Sequence, residues 1–210
     1  MKNIIDLTVP LGPKALVYPG DPIPKVTLLS SRSNGDLVTT SNLDMCMHIG
    51  THVDLPGHFI DGAKLLGDYS VDAFTGHACV LDLTNAMTSI KKEDLTGRDI
   101  PRRQHVLLKT RNSKFLRDAL FTENYVYLEP EAAALIIQSD PLSIGIDYYS
   151  LDPADTESLP AHRICAEYGI PVFVCLDMAS VTAGSYWFAG LPLNYPTLEG
   201  APVRAIIWDI

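Results

Sequence analysis

Between His48 and His58 the chain reads His-Ile-Gly-Thr-His-Val-Asp-Leu-Pro-Gly-His, and this run limits the fold more than any other. Gly50 and Pro56 disfavour a helix, as do the β-branched Thr51 and Val53. In an extended chain, side chains alternate between faces, so His48, His52 and Asp54 point the same way. On a helix, His48 and His52 would share a face and Asp54 would fall well round the cylinder. The strand therefore gathers two imidazoles and a carboxylate at one point, donors that suit zinc or manganese. Pro56 and Gly57 then turn the chain and leave His58 just past the ligand row. A general base for a metal-activated water would stand there. The plain alternative is a polar strand end with surface histidines. Three of the chain's six histidines fall in this run, and a metal site accounts for that density.

Around this segment, short apolar runs alternate with a few helical stretches. Strands are expected over residues 4–9, 25–29, 38–46, 78–83, 106–110, 142–146, 172–176 and 205–208. The continuous apolar runs at 78–83 and 106–110 read as fully buried strands. Residues 11–24, with Tyr18-Pro-Gly-Asp-Pro at their heart, and 57–69 read as loops. Helices are expected over 91–95, over 130–138, where Glu129 and Pro130 open the segment, and over 160–168, stopped by Gly169. Strands interleaved with helices predict an α/β fold with a mixed β-sheet core flanked by a few helices. Residues 1–210 show no internal repeat and no linker, so one domain is expected.

Composition narrows the function. A net charge of −9 and no Lys/Arg cluster argue against a nucleic-acid partner. No stretch approaches the roughly 20 apolar residues of a membrane span. The N-terminal residues carry no apolar run of signal-peptide length. The four cysteines, at 46, 79, 165 and 175, are dispersed and read as buried thiols of a cytoplasmic protein. A small-molecule substrate is the expected partner.

The H-x-G-T-H-x-D-x-P-x-H run resembles the signature of the cyclase family of metal-dependent hydrolases, which includes bacterial kynurenine formamidases and isatin hydrolases. Weaker segments follow in the same order: Asp6-Leu7-Thr8 through Tyr18-Pro-Gly-Asp-Pro, Gly145-Ile-Asp147 with Ser150-Leu-Asp152, and Leu191-Pro-Leu193 with Gly200-Ala-Pro-Val-Arg-Ala205. The resemblance implies the family's swivelling β/β/α fold. It implies that His48, His52 and Asp54 bind a first divalent metal, that Asp54 bridges to a second metal held by His162, and that His58 transfers the proton. Zinc or manganese, one or two per chain, is the implied cofactor. A homodimer or homotetramer is the implied assembly, with Tyr148, Tyr149, Trp187 and Phe188 as exposed aromatic candidates for its interface.

This chain departs from the family pattern twelve residues after His162, where Val174 replaces a metal-binding glutamate. Cys175 and Asp177 are the nearby substitutes, although Val174 and Cys175 read more simply as core. A site of one metal, or of two unequally held metals, follows. Tyr18 stands where formamidases place a tryptophan and is the candidate substrate-binding ring. Tyr148 and Tyr149 replace smaller residues, either narrowing the pocket or packing at an interface. Asp61 either orients His58 or a ligand imidazole, or is a solvated loop carboxylate. Asp147 either supports the site or caps a turn. Cys46 shares the ligand face if the strand is unbroken, with core the simpler role. His77 and His105 have no ligand partners in sequence and read as structural or solvated.

The expected function is hydrolysis of a small amide, formamide, lactam or lactone by metal-activated water, with His58 as proton shuttle. The alternatives are a metal-dependent lyase or cyclase on a small carbonyl compound, and a metal-dependent binding protein whose second site has eroded at Val174.

Overall fold

The computed structural model describes residues 3–12, 17–116 and 121–210; residues 13–16 of the expected loop at 11–24 lie outside them. In chain order the strands are β1 (Ile4–Asp6), β2 (Lys25–Ser30), β3 (Thr40–Asp44), β4 (His52–Asp54), β5 (Thr75–Asp82), β6 (Ser89–Ile90), β7 (His105–Lys109), β8 (Tyr127–Leu128), β9 (Ser143–Ile146), β10 (Val172–Val174), β11 (Gly184–Pro192) and β12 (Gly200–Asp209). The α-helices are α1 (Lys92–Leu95), α2 (Pro130–Ile137) and α3 (Pro160–Glu167). The main sheet runs β1-β12-β11-β5-β7-β9-β10-β4, and β4 pairs with β12 as well. All of its strands but β1 therefore lie in a closed ring. Neighbours β5, β7, β9 and β10 are parallel, whereas β4, β12 and β11 pair antiparallel, so the sheet is mixed as expected.

Strand alternation divides the apolar residues into two layers. Val53, Leu107, Phe173, Phe188 and Ala205 point into the ring. Val172 and Val174 point outward and share a layer with Ala161 and Cys165 of α3 and Ala132 and Ile136 of α2. Phe173 and Phe188 are fully buried edge to face, centroids 4.9 Å apart. Each such side chain contributes roughly 1.5–3 kcal/mol by leaving water. Helix α3 is opened by Pro160 and capped from outside itself. The Asp152 carboxylate accepts the backbone N–H groups of Ala161 at 2.7 Å and His162 at 3.0 Å, which the first turn leaves unpaired.

Two departures from expectation bear on the site. The extended run expected from His48 is strand only from His52 to Asp54, because Gly50 takes a left-handed φ of 57° that a ladder does not accommodate. The bend is pinned by Thr51, whose hydroxyl donates to the Cys175 carbonyl at 2.7 Å and accepts the Val9 N–H at 2.8 Å. The sequence also hides β11, which begins at Gly184, ends at Pro192 and contains Gly190. That glycine is a packing requirement: a Cβ there would come within 2.7 Å of both the Phe173 and Phe188 rings. Among the described residues no helix is long and apolar enough to cross a membrane.

Candidate metal centre

Strand β4 is the floor of the site. Val172 stands opposite Asp54 and Val174 opposite His52 in the β10–β4 register. These pairs share the outer face, while Val53 turns into the ring. His52 and Asp54 thus look out towards α3, which carries His162. All three are almost wholly buried, at 2%, 5% and 3% exposure.

Asp54 is the meeting point. Its Oδ1 lies 2.7 Å from His48 Nδ1 and 3.1 Å from His52 Nε2, and its Oδ2 lies 3.9 Å from His162 Nε2. The second nitrogen of each ring is tied elsewhere. His52 Nδ1 is 2.8 Å from the Gly50 carbonyl, and His162 Nδ1 is 2.7 Å from the Asp152 carboxylate. Both partners are acceptors, so each Nδ1–H donates to its partner, and a ring that carries only that proton turns an Nε2 lone pair to Asp54. His162 Nε2 is buried with no hydrogen-bond partner. Lone pairs converging on a carboxylate repel unless a positive charge stands among them. A divalent cation fits this donor set, and the carbonyl and carboxylate ties at Nδ1 match those that orient metal-binding histidines.

His48 reaches the cluster from the bend rather than from the strand. Its Nε2 faces Glu199 Oε1 at 3.3 Å. Burial alone would lower the His48 pKa, but Asp54 and Glu199 outweigh it and raise the pKa. Burial alone would raise that of Asp54, and the His52 and His48 rings instead hold it well below the carboxylate range. His58 follows on the short 3-10 turn Pro56–His58 and stacks on His48, centroids 3.8 Å apart. Partial burial lowers its pKa against the pull of Asp54, which keeps the ring neutral at neutral pH. One nitrogen of His48, one of His58 and an oxygen of Asp54 lie within 4.8 Å of one another.

These groups line a cavity of about 340 Å3 with Tyr18, Asp21, Cys46, Phe59, Tyr149, Ser150 and Leu159. Phe59 stacks on His162 at 4.8 Å. Tyr18 meets Phe121 edge-on at 5.1 Å and lies 6.1 Å from Tyr149. Val174 is fully buried on the ligand face, opposite His52. Cys175 leaves that face through a left-handed φ of 54°, and burial pushes its thiol far up, so it stays protonated. Asp177 does not line the cavity, and neither does Asp61, which is exposed on a turn. Asp147 accepts from the backbone and hydroxyl of both Thr110 and Ser113, tying the turn after β7 to the end of β9. His105 is buried inside the ring, 2.7 Å from the Ser143 hydroxyl, and His77 lies exposed against Trp187.

The interface expected from exposed aromatics needs correcting. Tyr148 and Phe188 are fully buried, Tyr149 is 7% exposed and lines the cavity, and Trp187 is half-buried against Trp208. Adjacent residues on a strand cannot both face solvent when one side is core, and β11 turns Phe188 inward. Sequence reasoning gave no role to Glu199 or Phe59 and named Asp152 only as a motif position. For Asp152 a signal existed: a carboxylate shortly before a proline-led helix is a capping candidate.

The sequence profile of the Cyclase family matches residues 5–153. Kynurenine formamidases from Bacillus mycoides and Bacillus cereus are 30% and 31% identical over 206 residues, covering 98% of this chain and 97% of theirs. A solved structure described as a predicted metal-dependent hydrolase from Bacillus stearothermophilus aligns over the whole of both chains with a TM-score of 0.86 at 28% identity. Isatin hydrolase A from Ralstonia solanacearum shares the fold, with a TM-score of 0.85 at 21% identity over 100% of this chain and 92% of its own. With the family profile spanning most of its length and relatives matching it nearly end to end, this chain belongs to the Cyclase family.

Proposed function

We propose that this protein is a metal-dependent hydrolase that opens the C–N bond of a small amide, formamide or lactam, with lactones as the oxygen analogues. The observation that carries this reading is the convergence of His48, His52 and His162 on the single carboxylate of Asp54. His48, His52 and Asp54 hold a first divalent cation, zinc or manganese, and His162 offers the start of a second position that Val174 leaves incomplete. A cation held there supplies Lewis acidity, drawing the pKa of water towards neutrality and polarising a carbonyl. His58, neutral and at the cavity edge, takes a proton from water and returns it to the leaving nitrogen or oxygen. Tyr18, Phe59 and Tyr149 provide aromatic walls for a flat substrate. The name of the formamidase relatives puts formamides of aromatic amines first among candidates.

The same reading places the protein in the cytoplasm, supported by its four free cysteines. A homodimer or homotetramer is supported by the β2–β3 ribbon, which leaves Val26, Leu28 and Leu43 exposed. A two-stranded ribbon with an uncovered apolar side is marginal by itself.

Protein loaded with zinc or manganese is tested on an aryl formamide, a lactam and a lactone in H₂¹⁸O. Incorporation of one solvent oxygen into the acid product is expected. No turnover of any of the three with either metal refutes the proposal.

A further inference from the structure

Glu199 immediately precedes β12 and lies 151 residues from His48, yet it supplies a carboxylate on the far side of that imidazole. Three geometric facts converge on the pair. His48 Nδ1 faces Asp54 Oδ1 at 2.7 Å, on the side where His52 Nε2 also points. His48 Nε2 faces away from that cluster, towards Glu199 Oε1 at 3.3 Å, the long end of the hydrogen-bond range. The ring also lies flush against the backbone at Gly200: a Cβ there would stand 2.5 Å from His48 Cε1 and 3.1 Å from Nε2. The ring is thus held between Asp54, the Gly200 backbone and Glu199. The Glu199 main chain is anchored too, its carbonyl accepting the Leu55 N–H at 2.9 Å.

We infer that Glu199 is a positioning residue for the metal centre: it accepts the Nε2–H of His48, so that His48 presents Nδ1, and not Nε2, to the cation. The inference rests on the reading of Asp54 and its histidines as a metal site. It assigns His48 the opposite nitrogen from His52 and His162, whose Nδ1 atoms are tied to Gly50 and Asp152. A carboxylate accepting the outer N–H of a ligand imidazole raises the basicity of the inner nitrogen and fixes the ring's orientation. The Glu199 side chain is 38% exposed, so it keeps contact with water and is not a buried group.

The first measurement is made on the parent chain. The full chain, labelled with ¹⁵N-histidine and loaded with ¹¹³Cd as the probe metal, is examined for one-bond cadmium–nitrogen coupling. His48 is assigned by the loss of its signals in His48→Gln. Coupling to Nδ1 of His48 and to Nε2 of His52 is expected. The second measurement is zinc affinity by chelator competition. Glu199→Ala is expected to bind zinc about 10- to 100-fold more weakly, and Glu199→Gln, whose amide oxygen still accepts the Nε2–H, to stay closer to the parent. The metal-free thermal midpoint reports folding separately, and if Glu199→Ala fails to fold, the cadmium coupling in the parent decides. Coupling through Nε2 of His48, or parental zinc affinity in Glu199→Ala, overturns the inference and leaves the metal site standing. A parent chain that binds neither cadmium nor zinc removes both.

Discussion

Val174 stands directly opposite His52 across the β10–β4 pair, fully buried on the same outer face. On the proposed reading, a hydrocarbon rather than a ligand occupies the position that would complete a second metal site. Val174→Glu is expected to raise bound metal from about one towards two per chain, measured by elemental analysis of untagged protein. A stoichiometry unchanged in a folded variant would show that the position cannot serve.

Asp54 is the carboxylate on which the three imidazoles converge, so Asp54→Ala removes the centre of the cluster. Metal content and turnover should fall together. Full metal occupancy in this variant would exclude Asp54 as a ligand.

His58 lies at the cavity edge and is stacked on His48 rather than tied to Asp54. His58→Ala should keep its metal and lose about 10²–10⁴-fold in turnover, the usual worth of a positioned acid–base group. An unchanged rate in the metal-loaded variant would remove His58 from the chemistry.

His105 gives the fold a pH dependence independent of metal. Desolvation inside the ring lowers its pKa from 6.5 to about 4, with only the Thr75 backbone opposing. Between those values the unfolded chain binds a proton that the folded chain excludes. Stability is therefore full above pH ~6.5 and falls as the pH drops towards 4, by on the order of 3 kcal/mol. Urea unfolding of metal-free protein at pH 7.5 and 4.5 tests this. His105→Asn, which keeps a donor for the Ser143 hydroxyl, should lose less stability over the same interval. Equal losses in the two proteins would contradict the assignment.

The local part of the site was legible because it is written within eleven residues. His52 and Asp54 obey the two-residue period of a strand, and His58 lies beyond the Pro-Gly turn. His48 met them by another route: the bend at Gly50 redirects its ring, and spacing alone does not encode a left-handed φ. Glu199 was out of reach, since its partnership with His48 exists only once β12 lies beside β4. The helices at 130 and 160 carried proline at their starts and were found nearly to the residue. Strand β11 was missed because Gly190, there to admit two phenyl rings, reads locally as a breaker.

The closure of the ring through β4 sets an order of events during synthesis. Strand β4 emerges early, but its neighbours β10 and β12 are translated more than a hundred residues later. Until β12 exists, Asp54 lies on an unpaired edge and His48 lacks its outer brace. Such sequence-distant pairing is slow to form. On the proposed reading, the nascent chain would carry its candidate ligands ungathered until the ring closes.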